Sequence, residues 1–292
     1  MHIKVLEGNA LEKDGHLVAL ALCVGDPKPD AIEPMIDDHD FTGSDRDMVL
    51  VYTHGVMMAQ RLLLAGMGQR ANLDTEIIRQ AGARIAQKAH SLKLPQFALR
   101  VPSSEKLSPS QVIQALVEGV QLSLYRYVDL KTNLKAEDMH RVEYLELIVE
   151  RDAEKLQQQV DRAQVIARGV MLARDLVNGP PNLITPTRLG HVAQDIGIST
   201  GMRVKVMGRP ELESEGFGGL LAVAQGSEQP PRFICMEHGK ARDDVATICL
   251  VGKGITFDTG GISIKPAAGM DEMKSDMGGP LRCLAQCKLS VS

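Results

Sequence analysis

The first 150 residues alternate between two patterns of hydrophobic and polar positions. One pattern consists of short apolar or alternating runs, which predict strands. The other repeats apolar residues at helical spacing in two long segments, which predict helices. Strands alternating with helices predict an α/β fold with a largely parallel sheet. The predicted strands are 16–25, 47–53, 60–68, 96–102 and 141–150, and the predicted helices are 73–92 and 108–130.

The second of these helices carries a complete start signal. Ser108 is placed as its N-cap, Pro109 as its first residue and Gln111 as the capping-box partner. Another helix is predicted over 152–177, where apolar residues recur on one face. It runs into VNGPPNLITP (177–186), a cluster of turn residues that cannot continue a helix. We therefore place a domain boundary at this turn.

The chain after the turn begins as a second α/β unit. Thr185 caps a predicted helix, and strands are predicted at 203–208, 232–238 and 245–254. Few elements follow before the sequence ends, so this domain is expected to be incomplete. The overall prediction is a two-domain α/β protein. Its parts are an N-terminal α/β sheet domain (1–150), a linker helix (151–178) and an incomplete C-terminal α/β domain (179–292).

Composition narrows the functional classes. The 292 residues are 44% hydrophobic and 24% charged with a net charge of −4, which is ordinary for a globular protein and gives no reason to expect nucleic acid or an anionic membrane. Aromatic residues make up 3% and tryptophan is absent, which disfavours base-stacking surfaces. The five cysteines form no CxxC pair, which argues against a disulfide framework. No signal peptide or membrane span is recognised, so the cytoplasm is the expected compartment.

The segment VGKGITFDTGGISIKP (251–266) combines glycines, lysines and a carboxylate after an apolar run. It is not a phosphate loop, because Lys253 is followed by Gly254 and the spacing of the glycines is wrong. A glycine-rich hairpin with solvated lysines is one interpretation. The other is a metal site, since Asp258, Asp276 and Lys253 can converge at the carboxyl ends of strands. Oxygen ligands suit Mg²⁺, Mn²⁺ and Zn²⁺, whereas a lysine ligates only when its pKa of about 10.4 is depressed.

Three stretches resemble the leucyl (cytosol) aminopeptidases, the M17 metallopeptidases. They are 173–186, 220–238 and, above all, 251–279, which is nearly identical to the family signature. The first 150 residues resemble the N-terminal domain of that family only in layout. The resemblance implies a two-domain α/β subunit, with residues 179–292 as the N-terminal part of the catalytic peptidase domain.

The resemblance also implies roles for individual residues. Lys253, Asp258 and Asp276 become ligands of two divalent metal ions, Mn²⁺ or Zn²⁺, and Asp258 bridges them. Lys265 becomes the catalytic lysine, which polarises the scissile carbonyl and stabilises the oxyanion. Met273, and with it Ser263, is assigned to substrate binding. Taken without the resemblance, Lys265 is better explained as a solvated surface lysine.

The expected function is removal of bulky apolar N-terminal residues from peptides by a homo-hexamer. The family completes its site with an Asn-Thr-Asp-Ala-Glu-Gly-Arg motif, and this sequence has no such motif. The 292-residue chain is therefore interpreted as truncated, with little or no activity. The alternative function is a non-catalytic binding or regulatory protein that retains only the N-terminal domain.

The last residues depart from the family pattern. After Gly279 the family continues as an Ala-rich helix, whereas this chain reads PLRCLAQCKLSVS. One back-translation, read from its third base, gives Ala-Ala-Ala-Val-Phe-Gly-Thr-Met-Gln-Ala-Val-Cys-Glu, which restores such a helix. We therefore interpret residues 280–292 as translated out of frame, through a frameshift or a sequencing error.

Overall fold

The structure is a computed structural model that describes residues 1–37, 39–240, 244 and 246–289. The chain divides into two compact units, Met1–Ala167 and Arg168–Ser292. The division falls within helix α3 (Ala153–Asn178), which covers nearly the range predicted from the sequence. The domain boundaries placed after residues 150 and 178 stay predictions. No helix in the described ranges combines the length and the apolar character that a membrane crossing needs.

A single sheet organises the first unit, which confirms the α/β prediction. Its strands are β1 (His2–Glu7), β2 (Val18–Leu22), β3 (Met48–Tyr52), β4 (Arg61–Gly66), β5 (Gln96–Arg100) and β6 (Tyr144–Val149), and the helices between them are α1 (Thr75–Ser91) and α2 (Pro109–Ser123). The strand order is β1-β6-β5-β2-β4-β3. All neighbours are parallel except β3 and β4.

One face of this sheet is covered by helices. The apolar residues of α1 and α2 pack on it together with Leu156, Val160 and Ala163 of α3. Asp74 caps α1, and Ser108 with Gln111 forms the capping box predicted for α2. These caps satisfy amides that a helix start otherwise leaves unpaired, so both helices begin at defined positions.

The other face is covered by loops and short 3-10 turns. The residues buried on this face come from strands β2 to β6 and from the connecting segments, among them Ala10, Ile32, Ile36 and Phe41. Strand β2 is buried at all five positions because both of its faces are covered, which explains its uninterrupted apolar sequence. Loops cover a surface less completely than helices do, and a groove remains on this side.

Strand β1 forms one edge of the sheet and pairs with β6 only. Gln157 of α3 lies along its open side. The Val5 amide donates to Gln157 Oε1 at 2.8 Å, and Gln157 Nε2 donates to the Ile3 carbonyl at 3.2 Å. One side-chain amide thus satisfies a donor and an acceptor of the edge strand.

The second unit is smaller and less regular. After the end of α3 it contains α4 (Pro186–Thr200), β7 (Arg203–Met207), α5 (Arg209–Ser214), α6 (Gly218–Val223), β8 (Phe233–Glu237), a 3-10 helix (Met270–Met277) and α7 (Gly278–Leu289). Strands β7 and β8 form an antiparallel pair. The core of this unit is built from α4 and the C-terminal end of α3, and Met277, Leu281 and Leu284 complete it.

The strand predicted over 245–254 is wrong for the described residues of that range, which form no regular structure. Ile248 is 85% exposed and Val251 is 90% exposed. A strand is stable only when its backbone pairs with a neighbour, and no described segment of the second unit pairs with this one. Apolar sequence alone was therefore insufficient evidence for a strand here.

Helices α1 and α2 are joined by an ion pair that is largely shielded from water. Glu118, whose side chain is 9% exposed, accepts from Arg79 Nε at 3.0 Å and from Arg79 Nη2 at 2.8 Å. Glu76, which is 57% exposed, accepts from Arg79 Nη1. Burial alone acts to lower the pKa of Arg79, but the hydrogen bonds with Glu118 and Glu76 outweigh it and raise that pKa.

We expect Glu118→Gln to lower the free energy of unfolding by about 2 kcal/mol, because it leaves the Arg79 guanidinium without its shielded counter-ion. The matched variant Glu76→Gln acts on the same guanidinium from an exposed position and should cost less than about 0.5 kcal/mol. Urea unfolding followed by far-UV circular dichroism measures both. Equal losses in the two variants would contradict the assignment of Glu118 as the stabilising partner.

Candidate active site

The site residues predicted from the sequence lie in one loop of the second unit and the 3-10 helix that follows it. Residues 251–266 form this loop, and Met270–Met277 is the 3-10 helix. The helix is anchored at Lys274, whose Nζ donates at 3.0 Å to the carbonyl of Asn178, the last residue of α3. Cations commonly satisfy the carbonyl groups at a helix end. The sequence analysis missed this role, because the two residues are 96 positions apart.

The loop brings two lysines and two aspartates together. Lys253 Nζ forms an ion pair with Asp276 and lies 3.9 Å from Asp258 Oδ2. Lys265 Nζ lies 3.1 Å from the same Asp258 oxygen. Two ammonium groups therefore face two carboxylates, and the formal charge of the cluster is zero. A lysine ligates a metal ion only without its proton, so metal binding by Lys253 would replace its ion pair with Asp276.

Backbone hydrogen bonds fix the turn between the two lysines. The Gly260 amide donates to Asp258 Oδ1 at 3.0 Å, and the Lys265 amide donates to the Thr259 carbonyl at 2.9 Å. Gly260 has a φ of +89°, and a Cβ at this position would lie 2.5 Å from the Ser263 carbonyl oxygen. Only glycine fits both conditions without strain. The turn thereby directs Lys265 back toward Asp258.

The Asp258 carboxyl group has its pKa lowered. The main cause is the hydrogen bond from the Gly260 amide, followed by the one from Lys265, and the positive charge of Lys253 adds to both. All three favour the charged form. Asp258 is therefore a carboxylate at neutral pH, ready to act as an anionic ligand.

The two residues assigned to substrate binding differ in their surroundings. Met273 lies beside the cluster, with its Sδ 3.2 Å from Lys265 Nζ and its carbonyl accepting from the Asp258 amide at 3.4 Å. Ser263 is exposed at the tip of the turn, and its side chain makes no hydrogen bond to any described residue. Met273 thus contacts Lys265 and Asp258 directly. Ser263 approaches this part of the loop only with its backbone carbonyl, which lies beside Gly260.

The donor set fits a divalent ion. Asp258 and Asp276 offer carboxylate oxygens on either side of the Lys253 amine, and such oxygens suit Mn²⁺ and Zn²⁺. Among the described residues, no group of three or more His, Cys, Asp or Glu side chains has the arrangement of a metal site. The candidate site reaches three donors only when the Lys253 amine is counted with Asp258 and Asp276.

Comparison with known sequences decides the family. Residues 14–134 match the N-terminal domain of the cytosol aminopeptidase family, and residues 171–291 match its catalytic domain. The chain belongs to the cytosol aminopeptidase family. This confirms the resemblance inferred from the signature over 251–279.

Curated relatives agree with the assignment. A probable cytosol aminopeptidase of Roseiflexus castenholzii is 40% identical over 280 residues, which is 96% of this chain and 57% of the relative. One from Cenarchaeum symbiosum is 39% identical over 220 residues, which is 75% of this chain and 43% of the relative. The chain thus spans about half the length of the curated relatives it matches.

Solved structures share the fold. A mutant of tomato leucine aminopeptidase superposes with a TM-score of 0.81 at 23% identity, over 99% of this chain and 59% of the other. The bottromycin maturation enzyme BotP in complex with Mn superposes with a TM-score of 0.79 at 24% identity, over 94% of this chain and 55% of the other. At these identities the likeness concerns the fold.

The stretch interpreted as out of frame lies partly within the described residues. Helix α7 covers Gly278–Leu289 and buries Leu281 and Leu284, and the match to the catalytic domain reaches residue 291. Residues 290–292 lie outside the described residues. The out-of-frame interpretation stays a prediction, and resequencing the gene downstream of codon 279 tests it.

We expect Gly260→Ala to loosen the turn, because its Cβ would meet the Ser263 carbonyl oxygen and its φ would be strained. Hydrogen exchange measured by mass spectrometry should show the amides of 258–265 exchanging about 10-fold faster, through local opening. Gly261→Ala is the matched control, since it shares a positive φ of +73° but its Cβ meets open space. An equal effect of both substitutions would show that strain alone, and not the contact with Ser263, holds the turn.

Proposed function

We propose that the loop and 3-10 helix form part of the active site of a metal-dependent aminopeptidase, which releases N-terminal residues from peptides. The observation that carries the proposal is the convergence of Lys253 and Lys265 on Asp258, with Asp276 on the other side of Lys253. Family membership supports peptide hydrolysis, and the names of the relatives support action at the N-terminus. Bulky apolar residues are the proposed preference.

The proposed metal ligands are Lys253, Asp258 and Asp276. Two divalent ions, Mn²⁺ or Zn²⁺, are proposed as cofactors, and the Mn complex of BotP supports manganese. A divalent ion at such a site polarises a peptide carbonyl and lowers the pKa of a water molecule. Asp258 is the proposed bridging ligand, as the family resemblance implies. Its Oδ1 accepts from the Gly260 amide, and its Oδ2 faces the two lysines.

Lys265 is the proposed catalytic residue. Its ammonium lies 3.1 Å from Asp258 Oδ2, and the Lys265 side chain is 36% exposed, so a substrate carbonyl can approach it from the solvent side. A fixed cation next to that carbonyl stabilises the negative charge that develops on the oxygen. Met273 is in contact with Lys265 and offers an apolar surface for the first side chain of the peptide. Ser263 is proposed to bind substrate from the tip of the turn.

The remaining parts of the proposal concern the whole protein. We propose a cytoplasmic homo-hexamer, as the family resemblance implies. For the 292-residue chain by itself we propose little or no activity, because the resemblance implies further ligands beyond the three assigned here.

Manganese titration by calorimetry tests the ligands. We expect Asp258→Asn and Asp276→Asn each to weaken Mn²⁺ binding by at least about 10-fold, because each removes an anionic donor. Asp271→Asn is the matched control, since Asp271 is exposed on the same 3-10 helix and should leave the affinity unchanged. Far-UV circular dichroism verifies the folding of every variant. Equal binding by all three variants and the parent chain would contradict the proposed site.

Hydrolysis of leucine p-nitroanilide tests the activity of the chain. We expect no rate above background from the purified 292-residue protein supplied with Mn²⁺. A rate that a chelator abolishes, and that Lys265→Met lowers, would overturn the expected inactivity while supporting the catalytic assignment.

A non-catalytic binding protein is the second candidate. The observation that favours it is the first unit, whose sheet has a buried core on each face independent of the proposed site. Calorimetry with Mn²⁺ and a peptide-like inhibitor separates the two functions. Binding of two ions supports the enzyme, and failure to bind either ligand supports the binding protein.

A further inference from the structure

The loop-covered face of the first unit contains a groove of about 660 Å³. It is lined by the 3-10 turn after β1, by the loop after β2, by the turn between β3 and β4, and by the end of β5. Its residues are Leu11, Glu12, 27–31, 55–58 and Arg100. A volume of about 300–1,000 Å³ is typical of sites for small molecules. None of these residues belongs to the proposed metal site.

Arg100 provides the charge at one end of the groove. It is the last residue of β5, and side chains alternate along a strand, so it shares the face of Ala98, which is buried on the loop-covered side. Arg100 is half-buried. Among the described residues, no carboxylate or carbonyl group is paired with its guanidinium.

Three other arginines of the first unit are paired. Arg70 binds Asp26, Arg79 binds Glu118, and Arg84 binds Asp45 and the Gly66 carbonyl. A guanidinium carries five donors in a planar fork that matches a carboxylate. Partial burial without a counter-ion is unfavourable for a charged group, so the unpaired Arg100 marks a place where an anion is stabilised.

The groove also has apolar residues that remain uncovered. Met58 is 63% exposed and Val56 is 51% exposed, and Met57 and Leu11 pack at the margin of the core below them. Methionine side chains adapt to ligands of different shapes. Lys28, Glu12 and Asp30 also line the groove, so its charged side chains, with Arg100, are two cations and two carboxylates. This balance leaves no excess positive charge for a ligand with two or more negative charges.

We propose that this groove binds a small monocarboxylate with a branched aliphatic body. Arg100 binds the carboxylate through paired hydrogen bonds, and Val56, Met57 and Met58 pack against the aliphatic part. Two sources share this chemistry. One is a free amino acid such as leucine, and its ammonium group can be bound by Glu12 or Asp30. The other is an acyl carboxylate, which has no ammonium group. The proposal is independent of the proposed peptidase function.

Ligand binding to the complete 292-residue chain tests the proposal, with 4-methylpentanoate and leucine as matched probes and leucinamide as the probe that lacks a carboxylate. We expect at least one of the two carboxylates to bind with a dissociation constant below millimolar, and leucinamide to bind at least about 10-fold more weakly. Arg100→Gln should weaken binding of the carboxylate by at least about 10-fold. Arg46→Gln, at a side chain that is 83% exposed, should leave it unchanged.

The comparison of the two carboxylates identifies the source. Tighter binding of leucine, with the advantage lost in Glu12→Gln or Asp30→Asn, supports an amino acid as the ligand. Equal or tighter binding of 4-methylpentanoate supports an acyl carboxylate. Circular dichroism and thermal midpoints establish that the variants fold. Absence of carboxylate binding at millimolar concentration, unchanged binding in a folded Arg100→Gln variant, or tighter binding of inorganic phosphate would each overturn the proposal.

Discussion

Strand β2 has no face open to water, and the first unit is arranged around this constraint. All five of its residues are buried, and it pairs with β4 on one side and β5 on the other. A parallel sheet buried in this way requires a cover on each face. Helices α1 and α2 with part of α3 cover one face, whereas the second is covered only by loops. The difference between the two covers leaves Arg100 and the methionines of the groove partly uncovered.

The signature loop of the second unit (251–266) is held by different interactions from those of the apolar cores. It has few buried apolar residues, and Ile262 and Ile264 are strongly exposed. Charge pairing and backbone hydrogen bonds hold the loop instead, with Asp258 accepting from Gly260 and facing Lys265. Exposed ion pairs contribute little stability individually, so the conformation depends on the glycine turn as much as on the charges. Asp258, which takes part in both kinds of contact, is also one of the proposed metal ligands.

The sequence was most informative where a local signal decides the structure. The capping box of Ser108 and Gln111, the continuous apolar run of β2 and the family signature over 251–279 all depend on nearby residues, and each was recognised. Features that depend on distant partners were missed. The 245–254 segment looks like a strand but has no described partner, and the contact of Lys274 with Asn178 joins positions far apart in sequence. β1, whose pairing partner β6 is remote, was not predicted, and neither was the unpaired state of Arg100.

The two hydrogen bonds of Gln157 limit how another chain can pair with the edge strand β1. A residue of an added parallel strand would donate to one backbone carbonyl and accept from the amide two residues later, which is the pattern that this side chain supplies to Ile3 and Val5. The Gln157 side-chain amide therefore makes the two hydrogen bonds that one residue of a seventh strand would make with β1. A chain that extends the sheet past β1 would first have to displace this amide, so the β1 edge of the first unit resists intermolecular β-augmentation.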